Sequence, residues 1–317
     1  MMPNPIDDRP LVTPDDVERA AERIGDHVRR TPVMDHDGVV LKLELLQHAG
    51  SFKPRGAFNR VLNEPEVPAA GLIAASGGNH GAALAFVGRQ LGLPVEIFMP
   101  STSPPIKRTN IERFGASVTV IDGYFDDAHR EVQQRQAETG ALMVHPYDHV
   151  DTVAGQGTMG RELEQQVGTF DTLVVANGGG GFVAGQAAWF RDRVRIVSVE
   201  PETSQCLRQA LLAGKPVPVP VSGIAADSLG AQLGAVPWSI SRHFVDEAVV
   251  VSDDQIRDAQ RALWNDLRLV VEPGGAAAYA ALTAGAFDRA PGERIVVVVC
   301  GSNCDPTTVM PSSPGPA

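Results

Sequence analysis

Short runs of β-branched and aliphatic residues, each closed by Gly, Pro or Asp, recur down the chain with stretches of helical spacing between them. No other feature constrains the fold as much. The runs lie at 72–76, 95–99, 118–121, 142–145, 173–176, 195–199 and 295–300, and helical patterns at 80–91, 125–138, 158–167 and 254–266. Parallel strands joined by right-handed helical crossovers are the arrangement that can bury such a pattern. The expected class is α/β, with mostly parallel sheets covered by helices.

The first helix is well signalled: Thr13 as N-cap, Pro14 in the first turn, and Asp15 and Asp16 against the positive end of the dipole, running to about Ile24. The segment KPVPVPVSG at 215–223 has three prolines at alternate positions and is expected as a surface connection rather than a central strand. The tail from Pro311 is expected to be disordered.

Composition removes several function classes. Lys plus Arg is 27 against Asp plus Glu 38, a formal net charge of −11, so neither nucleic acid nor an anionic membrane is an expected partner. No apolar run approaches the ~20 residues that cross a bilayer. The opening MMPNPIDDRPLVTPDD has Asp where a secretory leader carries Lys or Arg, and the three cysteines, Cys206, Cys300 and Cys304, are an odd and sparse set. A cytoplasmic location with free thiols is expected.

Glycine-rich or small-residue turns after two strands are where open α/β sheets bind ligands. Asn177-Gly178-Gly179-Gly180-Gly181-Phe182 follows TLVVA and precedes VAGQAAWF. Four glycines leave backbone N–H groups free to wrap a phosphate at a helix N-terminus. Gly179-x-Gly181-x-x-Ala184, with Glu200 about 20 residues on, also fits a dinucleotide fingerprint, so a nicotinamide-dependent dehydrogenase is one reading. The turn Ser76-Gly77-Gly78-Asn79-His80-Gly81 suits a small anion such as a carboxylate; the bland alternative is a capped helix start. Lys53, beside Phe52 and between Gly50 and Pro54, is expected in a partly desolvated loop, where its amine could attack a carbonyl. Cys300-Gly301-Ser302-Asn303-Cys304 closes the strongest strand, and its small Cys and Ser could point at a cofactor ring.

In this order these motifs resemble the fold-type II pyridoxal phosphate enzymes, specifically the serine/threonine dehydratase and serine racemase branch. The resemblance runs from about Thr31 to Asp305 and rests on KLELLQHAGSFKPRGA, SGGNHG, HPYD with AGQGT, NGGGGF, VEP, EPGGAA and CGSN. It implies a two-domain fold like the tryptophan synthase beta subunit. Its large domain would comprise 1–65 and 148–317, and its small domain 66–147. It also implies pyridoxal 5′-phosphate, a small amino-acid substrate and a homodimer. The implied reaction is dehydration and deamination of a small 3-hydroxy amino acid, such as L-serine or L-threonine, to a 2-keto acid and ammonia. A cysteine synthase-like β-replacement is the alternative, although its usual loops differ from SGGNHG and GGGGF.

Carried over residue by residue, the pattern makes Lys53 the lysine that binds the cofactor as a Schiff base and then acts as base, with Phe52 against the ring. Gly178, Gly179, Gly180 and Gly181 would hold the phosphate, and Phe182 would also bind the cofactor. Asn79 would meet the ring oxygen, and Cys300, or Ser302 in a shifted register, the ring nitrogen. Ser76, Gly77, Asn79 and His80 would approach the substrate carboxylate. Racemases of the branch carry a second serine where Gly77 stands, so racemisation is expected to be weak. Their divalent-cation site uses the Glu of VEP and an Asp six residues on; Glu200 is present, but the partner is Cys206. A monovalent ion on Glu200 and the Ser204 carbonyl is the remaining possibility. His145 and His149 are read as structural, and Glu272 as orienting its neighbours rather than as a catalytic acid.

Overall fold

The structure, a computed structural model, describes residues 10–123 and 125–309; the tail from Pro311 lies outside the described residues. It is α/β, built on two sheets. The first helix, α1 (Pro14–Ile24), starts in a capping box between Thr13 and Asp16, as its sequence signals require. Two strands the sequence pattern did not single out follow: β1 (Val33–His36) and β2 (Val39–Lys42), an antiparallel hairpin. Its turn residues, Asp37 (φ 49) and Gly38 (φ 78), are both left-handed, as a two-residue hairpin turn demands.

The smaller sheet is wholly parallel, in the order β5-β4-β3-β6, from β3 (Leu72–Ala75), β4 (Val95–Pro100), β5 (Ser117–Ile121) and the short β6 (Leu142–Met143). Between these strands run α3 (Asn79–Leu91), α4 (Pro105–Glu112) and α5 (Phe125–Thr139). Before them, α2 (Lys53–Leu62) packs on both α3 and α6 (Val150–Val167). The small-sheet core therefore reaches back past position 66, taking in Ile24, Ala49, Ala57, Phe58 and Val61.

The larger sheet has six strands in the order β1-β2-β10-β7-β8-β9, where β7 is Thr172–Ala176, β8 Arg195–Pro201, β9 Glu247–Val251 and β10 Ile295–Val298. All its pairings except β1 with β2 are parallel. β2, β7 and β10 are buried at every position, which is why they read as unbroken apolar runs. The remaining helices are α7 (Gly181–Phe190), α8 (Cys206–Ala213), α9 (Ala226–Leu229), α10 (Ala235–Phe244), α11 (Asp253–Leu267) and α12 (Pro273–Thr283). α12 packs on β7, β8 and β10, and α7 on β7 and β8. The 215–223 segment forms no strand. Among the described residues no helix is long and apolar enough to cross a membrane.

Candidate active site

Lys53 is not in a loop: it is the first residue of α2, with Pro54 pre-set for the first turn. Two residues on, the buried Arg55 guanidinium donates to both oxygens of Glu44, each at 2.8 Å, and to Glu162 at 3.0 Å. This fork fixes the turn that carries Lys53. Lys53 Nζ donates to the Pro146 carbonyl at 2.9 Å and stands 5.1 Å from the centre of the Phe52 ring. Desolvation pulls the amine down to about 8, against the opposing pull of Cys300 and Glu272. An amine with that value is partly neutral near pH 7 and can act as nucleophile or base.

The glycine turn between β7 and α7 faces Lys53 across the same cleft. Its carbonyls are drawn outward: the Cys206 thiol donates to the Gly178 oxygen at 2.9 Å, and the Gly234 N–H to the Gly179 oxygen at 3.2 Å. None of the described backbone bonds takes up the N–H groups of Gly178 to Gly181. Space or conformation also disfavours a side chain at each of these positions. A Cβ at Gly179 would fall 2.6 Å from the Tyr147 ring, one at Gly181 2.8 Å from the Tyr147 Cβ, one at Gly178 3.1 Å from the Leu229 backbone, and Gly180 has φ +95°. The result is a row of unpaired donors at the positive end of α7, suited to a phosphate. Phe182 stacks on Phe52 with centroids 3.9 Å apart, so one face of Phe52 is occupied by Phe182.

The turn between β3 and α3 closes the cleft on the small-sheet side. Ser76 Oγ accepts from the N–H groups of Gly78 (3.2 Å) and Gly81 (3.0 Å), which leaves its own proton to donate. Asn79 Nδ2 donates to Glu272 Oε1 at 2.5 Å, and Asn79 Oδ1 accepts from Asn303 at 2.7 Å, leaving one amide proton of Asn79 unused by these bonds. The His80 ring points away, to the Val144 carbonyl at 2.7 Å, and burial drops it to about 3; only its backbone belongs to the turn. Glu272 is buried, and burial raises its carboxyl. Lys107 of α4 is 2% exposed, 2.7 Å from Asp227 and 3.8 Å from Glu272. Burial works against its charge, but Glu272 and Asp227 outweigh it and hold the amine above its usual value.

The other expected residues divide between those that line the cleft and those that do not. Ser302 does not face the cleft: its Oγ is 3.3 Å from the Gly50 carbonyl and 3.5 Å from that of Leu45. Cys300 lines the cleft, and burial pushes its thiol up, so it stays neutral. Glu200, weighed as a ribose-binding acid and as a cation ligand, is turned into the start of α8. It accepts from Leu207 N and Arg208 N at 2.8 Å each and from Asn177 Nδ2 at 2.9 Å. Those bonds occupy the carboxylate from the protein side, and a cation held there with Ser204 gains no support from them. No group of three or more His, Cys, Asp or Glu able to hold a metal occurs among the described residues. His145 Nδ1 accepts from the N–H of Asp148 at 2.8 Å, and burial drops the ring to about 4, in keeping with a structural role. His149 likewise caps α6.

Residues 24–301 match the family model described as pyridoxal-phosphate dependent enzyme. The chain belongs to that family. Among its curated relatives, a serine racemase from Oryza sativa subsp. indica is 34% identical over 306 residues, covering 91% of this chain and 90% of the relative. An L-threonine ammonia-lyase from Geobacter sulfurreducens is 37% identical over 306 residues, covering 92% and 76%. The structure of maize serine racemase superimposes with a TM-score of 0.88 at 32% identity, covering 94% of this chain and 96% of that one. Members of the family use pyridoxal 5′-phosphate, and the residues present fit it: an amine of lowered pKa, a cradle that any Cβ would fill, and free N–H donors at a helix start.

The sequence reading missed Tyr147 and Leu229 as residues lining this cleft, and Lys107 as the cation beside its lining residue Glu272. Tyr147 was signalled inside HPYD, where an aromatic follows Pro146 next to the lysine. Leu229 and Lys107 carried no local signal, because only the fold brings α9 and α4 to the cleft.

Proposed function

We propose that the protein is an ammonia-lyase that dehydrates and deaminates a small 3-hydroxy amino acid to a 2-keto acid and ammonia. The observation that carries the reading is the placement of the Lys53 amine, with its pKa near 8, between free backbone donors of the glycine turn and the Ser76-to-Gly81 turn. Lys53 Nζ would be the attachment point for the cofactor, Gly178 to Gly181 would hold its phosphate, and the spare Asn79 amide proton and the neutral Cys300 thiol would be available to its ring. Pyridoxal 5′-phosphate supplies the electron sink for breaking the Cα–H bond.

The residues do the rest. The Ser76 O–H and the N–H groups at the start of α3 receive the substrate carboxylate. Lys53 Nζ, when free and neutral, would take the α-proton as base. The proton taken from Cα leaves overall with the β-hydroxyl as water, and the enamine product tautomerises to an imine that water hydrolyses to the 2-keto acid and ammonia. We place the enzyme in the cytoplasm and, in line with the family resemblance, as a homodimer. Release of 2-keto acid from a panel of L-serine, L-threonine, 3-hydroxyaspartate and a bulkier 3-hydroxy amino acid tests the reading. Turnover of at least one is expected, and keto-acid release from none overturns it.

A further inference from the structure

The Ser76-to-Gly81 turn lacks a side chain at its second position, and the backbone is not the reason. Gly77 is not among the left-handed glycines, so an L-residue is conformationally allowed there. Space is what forbids it. A Cβ at position 77 would lie 1.7 Å from Ser103 Oγ, 2.7 Å from Ser103 Cβ and 3.4 Å from Pro100 Cδ. The Ser103 hydroxyl, brought in from the segment between β4 and α4, thus occupies the volume into which a side chain at 77 would project.

The backbone that carries that hydroxyl is held in place. The Ser103 N–H donates to the Pro100 carbonyl at 3.0 Å, and Pro104 and Pro105 follow directly as the start of α4. Prolines at 100, 104 and 105 remove backbone freedom on both sides of it. The side chains of the turn itself are largely engaged: Ser76 with two N–H groups, Asn79 with Glu272 and Asn303, and His80 with Val144. None of these bonds uses Ser103, which is half-buried at the edge of the turn.

We propose that Ser103 is a substrate-contacting residue, whose hydroxyl donates to the substrate α-carboxylate beside the Ser76 O–H. This rests on the reading of the turn as the carboxylate site. A carboxylate has about four lone-pair sites, so a second hydroxyl donor can be accommodated. It follows that Gly77 and Ser103 are coupled: one hydroxyl-bearing side chain fits this space, and it can come from either residue.

Steady-state kinetics of the holoenzyme on the best amino acid of the panel test this. Ser103→Ala should raise KM about tenfold or more, the loss expected for one hydrogen bond to a charged group. The value of kcat, the absorbance of the bound cofactor and the melting temperature should change little. Gly77→Ser alone should impair the enzyme through collision with Ser103, whereas Gly77→Ser with Ser103→Gly should recover most of the parental KM. Inhibition by the amide of the same amino acid, which lacks the carboxylate, should be insensitive to Ser103→Ala. A KM for Ser103→Ala within twofold of the parent, or an equal loss of affinity for the amide, overturns the proposal while leaving the ammonia-lyase reading intact. If no amino acid of the panel is turned over at all, it is that reading which fails.

Discussion

Asn79, the first residue of α3, donates to Glu272, the residue preceding α12, across 2.5 Å. This bond joins the small-sheet turn to the start of α12, which packs on the large sheet, and Lys107 reinforces it by reaching Asp227 and Glu272 from α4. The two halves of the cleft are therefore held in register by buried polar groups that stand beside the reacting centre.

Lys107→Met would leave Glu272 buried without its cation. Breaking a buried pair from one side costs on the order of 3 kcal/mol. The expected result is a melting temperature lower by several degrees, with Lys107→Arg much closer to the parent. Thermal unfolding of the two variants checks it; a Met variant as stable as the parent would count against the network.

Lys53→Ala should abolish covalent cofactor attachment and activity together. After borohydride reduction of the parent, peptide mapping should place the cofactor on Lys53. Modification of Lys42, Lys107 or Lys215 instead would contradict the assignment.

The lowered pKa of Lys53 sets a pH dependence. Below about 8 the amine is increasingly protonated and above it increasingly neutral, so capture of added pyridoxal 5′-phosphate by the cofactor-free protein should speed up as pH rises through about 8. Stopped-flow absorbance checks it. A rise centred near 10, the value of an ordinary solvated lysine, would show that the cleft does not desolvate the amine.

Because the Glu200 oxygens accept N–H bonds from α8 and Asn177, a chelator should leave activity essentially unchanged. Loss of activity on chelation, restored specifically by Mg²⁺ or Mn²⁺, would show a cation site that these bonds do not reveal.

Much of this was legible in the sequence, and the particular misses have physical causes. β7 and β10 announced themselves because burial on both faces leaves an unbroken apolar run, and α1 because its cap residues satisfy its first N–H groups. The β1–β2 hairpin carried a signal that went unread, the Asp37-Gly38 pair between two short apolar runs. The start of α6 at Val150 was missed because its N-cap is the unusual His149. In the cleft, Lys53 and the glycine turn are local motifs and could be read directly. Ser103 beside Gly77 and Lys107 beside Asp227 are long-range meetings of separate elements, which spacing along the chain does not encode.

The central claim is that Lys53 works as the base of an elimination, with no second acid–base group of near-neutral pKa among the side chains of the Ser76-to-Gly81 turn opposite it. His80, which could have been one, is turned away and held neutral. Counting pyruvate, ammonia and D-serine formed from L-serine by the unmodified holoenzyme tests this most directly. The account predicts pyruvate and ammonia in equal amounts, with D-serine below about a tenth of either, since the Ser103 hydroxyl, which takes the space of a side chain at 77, is assigned to the substrate carboxylate rather than to reprotonation from the opposite face. D-Serine appearing at a rate comparable to pyruvate would contradict it.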